Sequence, residues 1–164
     1  MDLFIVRHAW AGQHGDPAWP DDRLRPLTKE GISRFASVVR KLSNRGFAPG
    51  AVATSPMVRC LQTAQIVAES VPAHPNIVEL DDLLPGGSLS KLLAWTIEQE
   101  DRCQSVAWVG HAPDVCRLAG TLIAAENGWL RFSKGAIAAL KFDGSPKAGQ
   151  AELRWLVTAR VLGC

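Results

Sequence analysis

The dipeptide Arg7-His8 stands directly after the apolar run Leu3-Phe4-Ile5-Val6, so one short segment ends in a planar cationic donor next to an imidazole. A guanidinium grips oxyanions through paired N–H groups, and an imidazole with an ordinary pKa of about 6.5 offers a nitrogen lone pair near neutral pH. Both suit transfer of a phosphoryl group, whose charge spreads over its equatorial oxygens and calls for several fixed cationic donors around one point. Arg59 and His111 are the further residues of the right types.

Each of these residues follows a strand-like run. Residues 3–6 read as a buried strand, as do 51–55 (Ala-Val-Ala-Thr-Ser) and 105–110 (Ser-Val-Ala-Trp-Val-Gly). The first ends at Arg7 and His8, the second leads through Pro56 to Arg59, and the third ends at His111. In open α/β sheets ligands bind at the carboxyl ends of strands, so the three runs aim Arg7, His8, Arg59 and His111 at one region.

The remaining elements fill in around them. Residues 9–27 form a loop rich in Gly, Pro, Asp and Trp, longer than most connections and therefore expected to be functional. Thr28 fits the N-cap of a helix running to about 45, with Ile32, Phe35, Ala36, Val39 and Leu42 on one apolar face and Gly46 as its stop. Pro56 fits the first turn of a second helix to about 70. A third strand is expected over 76–80, a loop over 81–88, and a helix over 89–100 with Leu92, Leu93, Trp95 and Ile97 inward. A further helix is expected from about 113 to 125, and alternating runs over 135–142 and 152–158 read as two antiparallel strands. This order predicts a three-layer α/β/α sandwich with a mostly parallel central sheet and a C-terminal antiparallel hairpin.

With Arg7-His8, the run Arg25-Pro26-Leu27-Thr28, Ser55-Pro56 followed by Arg59 and Gln62-Thr63, the loop Leu84-Pro85-Gly86-Gly87 and the turn Gly110-His111-Ala112-Pro113, the sequence resembles the histidine phosphatase superfamily. The nearer match is its small SixA-type branch of phosphohistidine phosphatases. Ala9 stands where that family usually has Gly, which implies different packing behind His8. The resemblance implies a phosphoglycerate mutase-like fold, His8 as nucleophile, Arg7 and Arg59 as the phosphate clamp, and His111 as a donor to phosphate. It also implies that the leaving-group acid comes from the loop after the third strand, where Glu79, Asp81 and Asp82 are candidates and Asp82 has the favoured place.

Arg25 either lines the pocket rim or anchors the loop through Asp21 or Asp22, and Ser55 donates to phosphate or to the nearby helix start. Trp10 and Trp19 are candidates to pave the substrate approach, and His14 and His74 are expected at the surface. The His8 Nδ1 or Nε2 that does not attack must carry a proton, which a backbone carbonyl is expected to hold.

The 164 residues suit one domain spanning 1–164, and 47% hydrophobic with 21% charged residues is ordinary for a soluble globular chain. With 18 Lys and Arg against 16 Asp and Glu and no basic run, the composition offers no footprint for nucleic acid. No apolar stretch approaches the roughly 20 residues of a membrane helix, and the cysteines lack metal-ligand spacing. The expectation is a cytoplasmic, monomeric, metal-independent phosphatase without a cofactor. It would form a phospho-His8 intermediate and act on phosphohistidine in a protein. The alternatives are a phosphatase for a small phosphomonoester or nucleotide, and a non-catalytic phosphate-binding module.

Overall fold

The computed structural model describes residues 1–125 and 130–164. Six strands form one sheet: β1 (Asp2–Arg7), β2 (Ala51–Thr54), β3 (Ile77–Glu79), β4 (Ser105–Gly110), β5 (Ile137–Lys141) and β6 (Glu152–Val157). Their spatial order is β3-β2-β4-β1-β5-β6. The first four are mutually parallel, whereas β5 and β6 run antiparallel at one side, so the sheet is mostly parallel and ends in the expected hairpin.

Alternation along β1 explains the layers. Leu3 and Ile5 project to one face of the sheet and Phe4 and Val6 to the other, because successive strand side chains point in opposite directions. Phe4 and Val6 meet α1 (Lys29–Ser43) and α2 (Val58–Ser70) in one core, and Leu3 and Ile5 meet α3 (Leu89–Glu98) and α4 (Asp114–Leu122) in the other. This is the three-layer α/β/α arrangement. Among the described residues no helix is long and apolar enough to cross a membrane.

Several elements differ from the sequence expectation. Helix α2 begins at Val58 with Met57 as N-cap, so Pro56 lies outside the first turn. Met57 is extended, and its N–H is taken by Ser55 Oγ at 3.4 Å. In α3 Leu92 and Thr96 are buried, Leu93 and Trp95 pack half-buried on the same core as expected, and Ile97 is exposed. The cause is polar: Thr96 Oγ1 accepts the indole N–H of the fully buried Trp108 at 3.1 Å and donates to Leu92 O at 2.9 Å. A buried indole N–H needs such an acceptor, and this outranks burying an isoleucine. In α1, Thr28 caps the helix by accepting from Gly31 N at 2.9 Å, and the buried face is Phe35, Val38, Val39 and Leu42, with Ile32 exposed. Gly46, at a φ of 94°, adopts the left-handed conformation that follows a helix end. Helices α3 and α4 stop at Glu98 and Leu122, short of the expected 100 and 125.

Candidate active site

Strands β2, β4 and β1 are neighbours, and their carboxyl ends carry Ser55, His111 and the Arg7-His8 pair. His8 is pinned by its backbone on both sides. Its N–H donates to Gly110 O at 3.0 Å at the end of β4, and its carbonyl accepts from Gly135 N at 3.1 Å ahead of β5. The next N–H, of Ala9, donates to Thr63 Oγ1 at 3.1 Å, and Thr63 in turn donates to Arg59 O at 2.7 Å. Gln62 Oε1 accepts from Leu27 N at 2.7 Å. The Gln62-Thr63 pair therefore ties the first turn of α2 both to the segment behind His8 and to the Arg25-Pro26-Leu27-Thr28 run. Ala9 is fully buried in the core beside α1 and α2, where its methyl group packs.

The His8 ring lies with Nδ1 2.8 Å from Ala9 O. A carbonyl only accepts, so Nδ1 carries the hydrogen and Nε2 is left with its lone pair. His8 is 7% exposed, and burial pushes its pKa down to about 3, with the charges of His111, Arg59 and Arg7 acting in the same direction. The His111 ring centre is 5.4 Å from that of His8. Burial, helped by Arg59, pushes His111 down to about 4. Its Nε2 is 2.9 Å from Ser55 Oγ and 3.4 Å from Cys60 Sγ. Cys60 is fully buried, and burial pushes its thiol up to about 12, so it stays protonated beneath His111. Among the two options for Ser55, the structure contains the link to the helix start, through Met57 N, and adds one to His111.

Arg7 donates from Nη1 to Phe132 O at 2.7 Å, and among the described residues no carboxylate pairs with it. Its Nε is buried without a partner, as is Nε of Arg59. Burial lowers the pKa of both guanidinium groups, at Arg59 against the opposing pull of Asp22. Arg59, the second residue of α2 and 5% exposed, meets Asp22, whose carbonyl accepts from Nη1 at 2.8 Å and whose carboxylate Oδ2 is 3.1 Å from Nη2. Asp22 also takes Arg25 Nε at 2.7 Å, and Arg25 Nη1 reaches Gly12 O at 2.8 Å, so Arg25 anchors the long loop through Asp22.

The candidate acid Asp82 has contacts within its own loop and with α3. Asp82 Oδ1 accepts from Ser88 N at 3.3 Å and lies 3.7 Å from Lys91 Nζ, which ties the carboxylate to its own loop and to α3. Glu79 and Asp81 are exposed. Asp114, at the start of α4, accepts from Gly86 N at 3.1 Å and so holds the Leu84-Pro85-Gly86-Gly87 loop next to His111. Trp10 stacks under Arg34, whose guanidinium carbon is 4.1 Å from the ring centre, while Trp19 is exposed. His14 and His74 are both exposed, and His14 Nδ1 is 3.0 Å from Asp22 Oδ1.

Residues 3–122 match the family profile described as histidine phosphatase superfamily (branch 1). The chain belongs to the histidine phosphatase superfamily. The chain is 33% identical over 144 residues to an uncharacterized protein from Picosynechococcus sp. strain PCC 7002, covering 86% of this chain and 85% of that protein. It is 27% identical over 158 residues to the phosphohistidine phosphatase SixA from Escherichia coli K12, covering 94% and 92% of the two chains. The solved structure of the protein histidine phosphatase SixA complexed with tungstate superposes with a TM-score of 0.85 at 25% identity over 99% of both chains. As in this superfamily generally, the fold is the phosphoglycerate mutase-like α/β sandwich.

The depressed imidazole pKa values fix a sign for pH. An unfolded histidine binds a proton near its ordinary value of about 6.5, whereas folded His8 and His111 do so only near about 3 and about 4. In the window between, the unfolded chain holds more protons, so stability is fully present above about pH 6.5 and is lost as pH falls towards these folded values. The urea midpoint should therefore drop between about pH 7 and about pH 5, and His8→Asn should remove part of that drop. An equal drop in both proteins would mean that His8 titrates normally.

Proposed function

We propose that the chain is a metal-independent phosphatase that takes a phosphoryl group from protein phosphohistidine onto His8 and releases it to water. The observation that carries this reading is the tautomer-fixed His8 beside two arginines whose buried Nε–H groups have no protein acceptor. In the first step the Nε2 lone pair of His8 forms a bond to phosphorus as the bond to the leaving group breaks, with that electron pair departing on the leaving atom. Arg7 and Arg59 take the charge of the equatorial oxygens, and His111 donates to one of them. A water molecule then attacks the phosphorus, its proton passes to solvent, and His8 regains its lone pair. Two guanidinium groups supply positive charge of the kind that a metal ion would otherwise bring.

The substrate class follows from the leaving group. A phosphohistidine ring protonated at its other nitrogen departs as neutral imidazole, whereas an alkoxide needs a proton in the transition state. Asp82 is engaged by Ser88 N and Lys91 and has no hydrogen bond to His8 or His111. The similarity to SixA, a phosphohistidine phosphatase by name, points the same way. We take the protein to act in the cytoplasm as a single-domain monomer that docks directly on its phosphorylated partner.

A comparison of kcat/KM for a phosphohistidine-bearing protein domain with values for nucleotide and sugar phosphates tests the reading. The phosphohistidine substrate should win by a factor of about 10² or more, on the scale of a lost general acid. A preference for any small phosphomonoester would reject the protein substrate and leave the His8 chemistry standing.

A further inference from the structure

The long loop between β1 and α1 closes on itself before it meets α2. Ala11 bridges Leu27, Gly12 N donates to Pro26 O at 3.0 Å, and Arg25 Nη1 donates to Gly12 O. At its turn, Asp21 caps a short 3-10 segment by accepting from Arg23 N at 2.9 Å, and this sets the backbone of Asp22. The Asp22 carboxylate is then gripped at Oδ1 by Arg25 Nε at 2.7 Å and by His14 Nδ1 at 3.0 Å, which leaves Oδ2 for Arg59. The hydrogen bond from Arg25, together with His14 and Arg59, holds that carboxyl well below the usual range, so it is ionised.

A guanidinium has five N–H donors. On Arg59, the Asp22 carbonyl accepts one from Nη1 and the Asp22 carboxylate pairs with Nη2 through Oδ2 at 3.1 Å, so the end of the fork is held at two points. Nε–H is buried with no acceptor, and Nη2 otherwise meets only the thioether of Met57 at 3.0 Å, a weak acceptor. One end of the fork is thus fixed by protein while its remaining donors have no strong partner. We propose that Asp22 is a positioning residue for Arg59: the loop over 9–27 exists to bring one carboxylate and one carbonyl to the far end of the fork, so that Arg59 is aimed before phosphate arrives. This rests on Arg59 being a phosphate donor, as in the function proposed above. It also accounts for the Arg25-Pro26-Leu27-Thr28 run, since Arg25 fixes the carboxylate and Gln62 fixes Leu27.

A preset donor makes no reorganisation at the moment of reaction, and small misplacements of such groups are costly. The test is a double-mutant cycle on the full chain, with a generic aryl phosphate as substrate. Arg59→Ala should lower kcat/KM by on the order of 10² or more. Asp22→Ala should lower it about 10-fold in the native protein and less than about twofold in the Arg59→Ala background, because a residue that acts through Arg59 has nothing left to position. Asp22→Asn keeps an oxygen acceptor and the carbonyl, and should fall closer to the native rate than Asp22→Ala.

An undiminished cost of Asp22→Ala in the Arg59→Ala background would overturn the proposal, since the loop would then act on the fold at large. A rise in kcat/KM on Asp22→Ala would also overturn it and make the carboxylate a competitor of phosphate. An Asp22→Asn rate no better than that of Asp22→Ala would exclude the hydrogen-bonded hold. A costly Arg59→Ala with a silent Asp22→Ala sinks the positioning role alone, whereas a near-native Arg59→Ala sinks the clamp on which it rests.

Discussion

His8→Ala should abolish turnover, lowering kcat by on the order of 10⁴ or more, the scale on which covalent enzymes lose activity with their nucleophile. The loss should be confined to chemistry. The His8 backbone is held by Gly110 O, by Gly135 N and, one residue on, by Thr63, and none of these contacts uses the imidazole. Arg7, Arg59 and His111 should therefore keep their places in the variant, and inorganic phosphate should still bind with an affinity within a few-fold of native. In the native protein, rapid quenching during turnover should trap phosphate on His8 that is labile in acid and stable in alkali. Label recovered on Ser55 or His111, or a His8→Ala protein with ordinary activity, would move the nucleophile elsewhere.

Arg7→Ala should cost on the order of 10² to 10³ in kcat/KM, the range for removing one donor to developing charge. Two losses add here. The Nε–H that has no protein acceptor disappears, and so does the Nη1 bond that fixes the guanidinium against Phe132 O. Arg7→Lys should recover little of the loss, because an ammonium is a point charge that cannot hold the Phe132 carbonyl and still present a planar pair of donors. Steady-state kinetics with an aryl phosphate, with phosphate as product inhibitor, read both effects. An Arg7→Lys protein within a few-fold of native would show that charge alone suffices at this position.

The features with local causes were legible in the sequence. A buried strand followed by a polar pair places Arg7 and His8 without ambiguity, because the unbroken apolar run and its end are both written in residues 2–7. Thr28 and Gly46 announce the limits of α1 through capping chemistry that involves only near neighbours. What could not be read are partnerships across long separations. Asp22 stands out only as a possible mate of Arg25 three residues on, since nothing periodic in a loop rich in Gly and Pro reveals that it faces Arg59, 37 residues away. Cys60 reads only as a cysteine without metal-ligand spacing until the fold lays it under His111. Ile97 fits an apolar stripe by pattern, yet the indole of Trp108 on another element decides which side of α3 turns inward. In each case the deciding partner is polar and distant, whereas apolar periodicity reports only on the face a segment buries.

The hydrogen bonds from Arg7 to Phe132 and from Gly135 to His8 bear on how the molecule comes into being. On a ribosome, all four residues of the candidate site have been polymerised once His111 emerges, and the parallel part of the sheet can then assemble. The guanidinium of Arg7 still has no carbonyl to rest on, because that carbonyl is 125 residues away and β5 has yet to be made. Contacts of such separation close late, after the chain has met the entropy of a long loop. Competence thus arrives with the last third of the chain, and a nascent or prematurely released product carries the reactive imidazole without the frame that aims it.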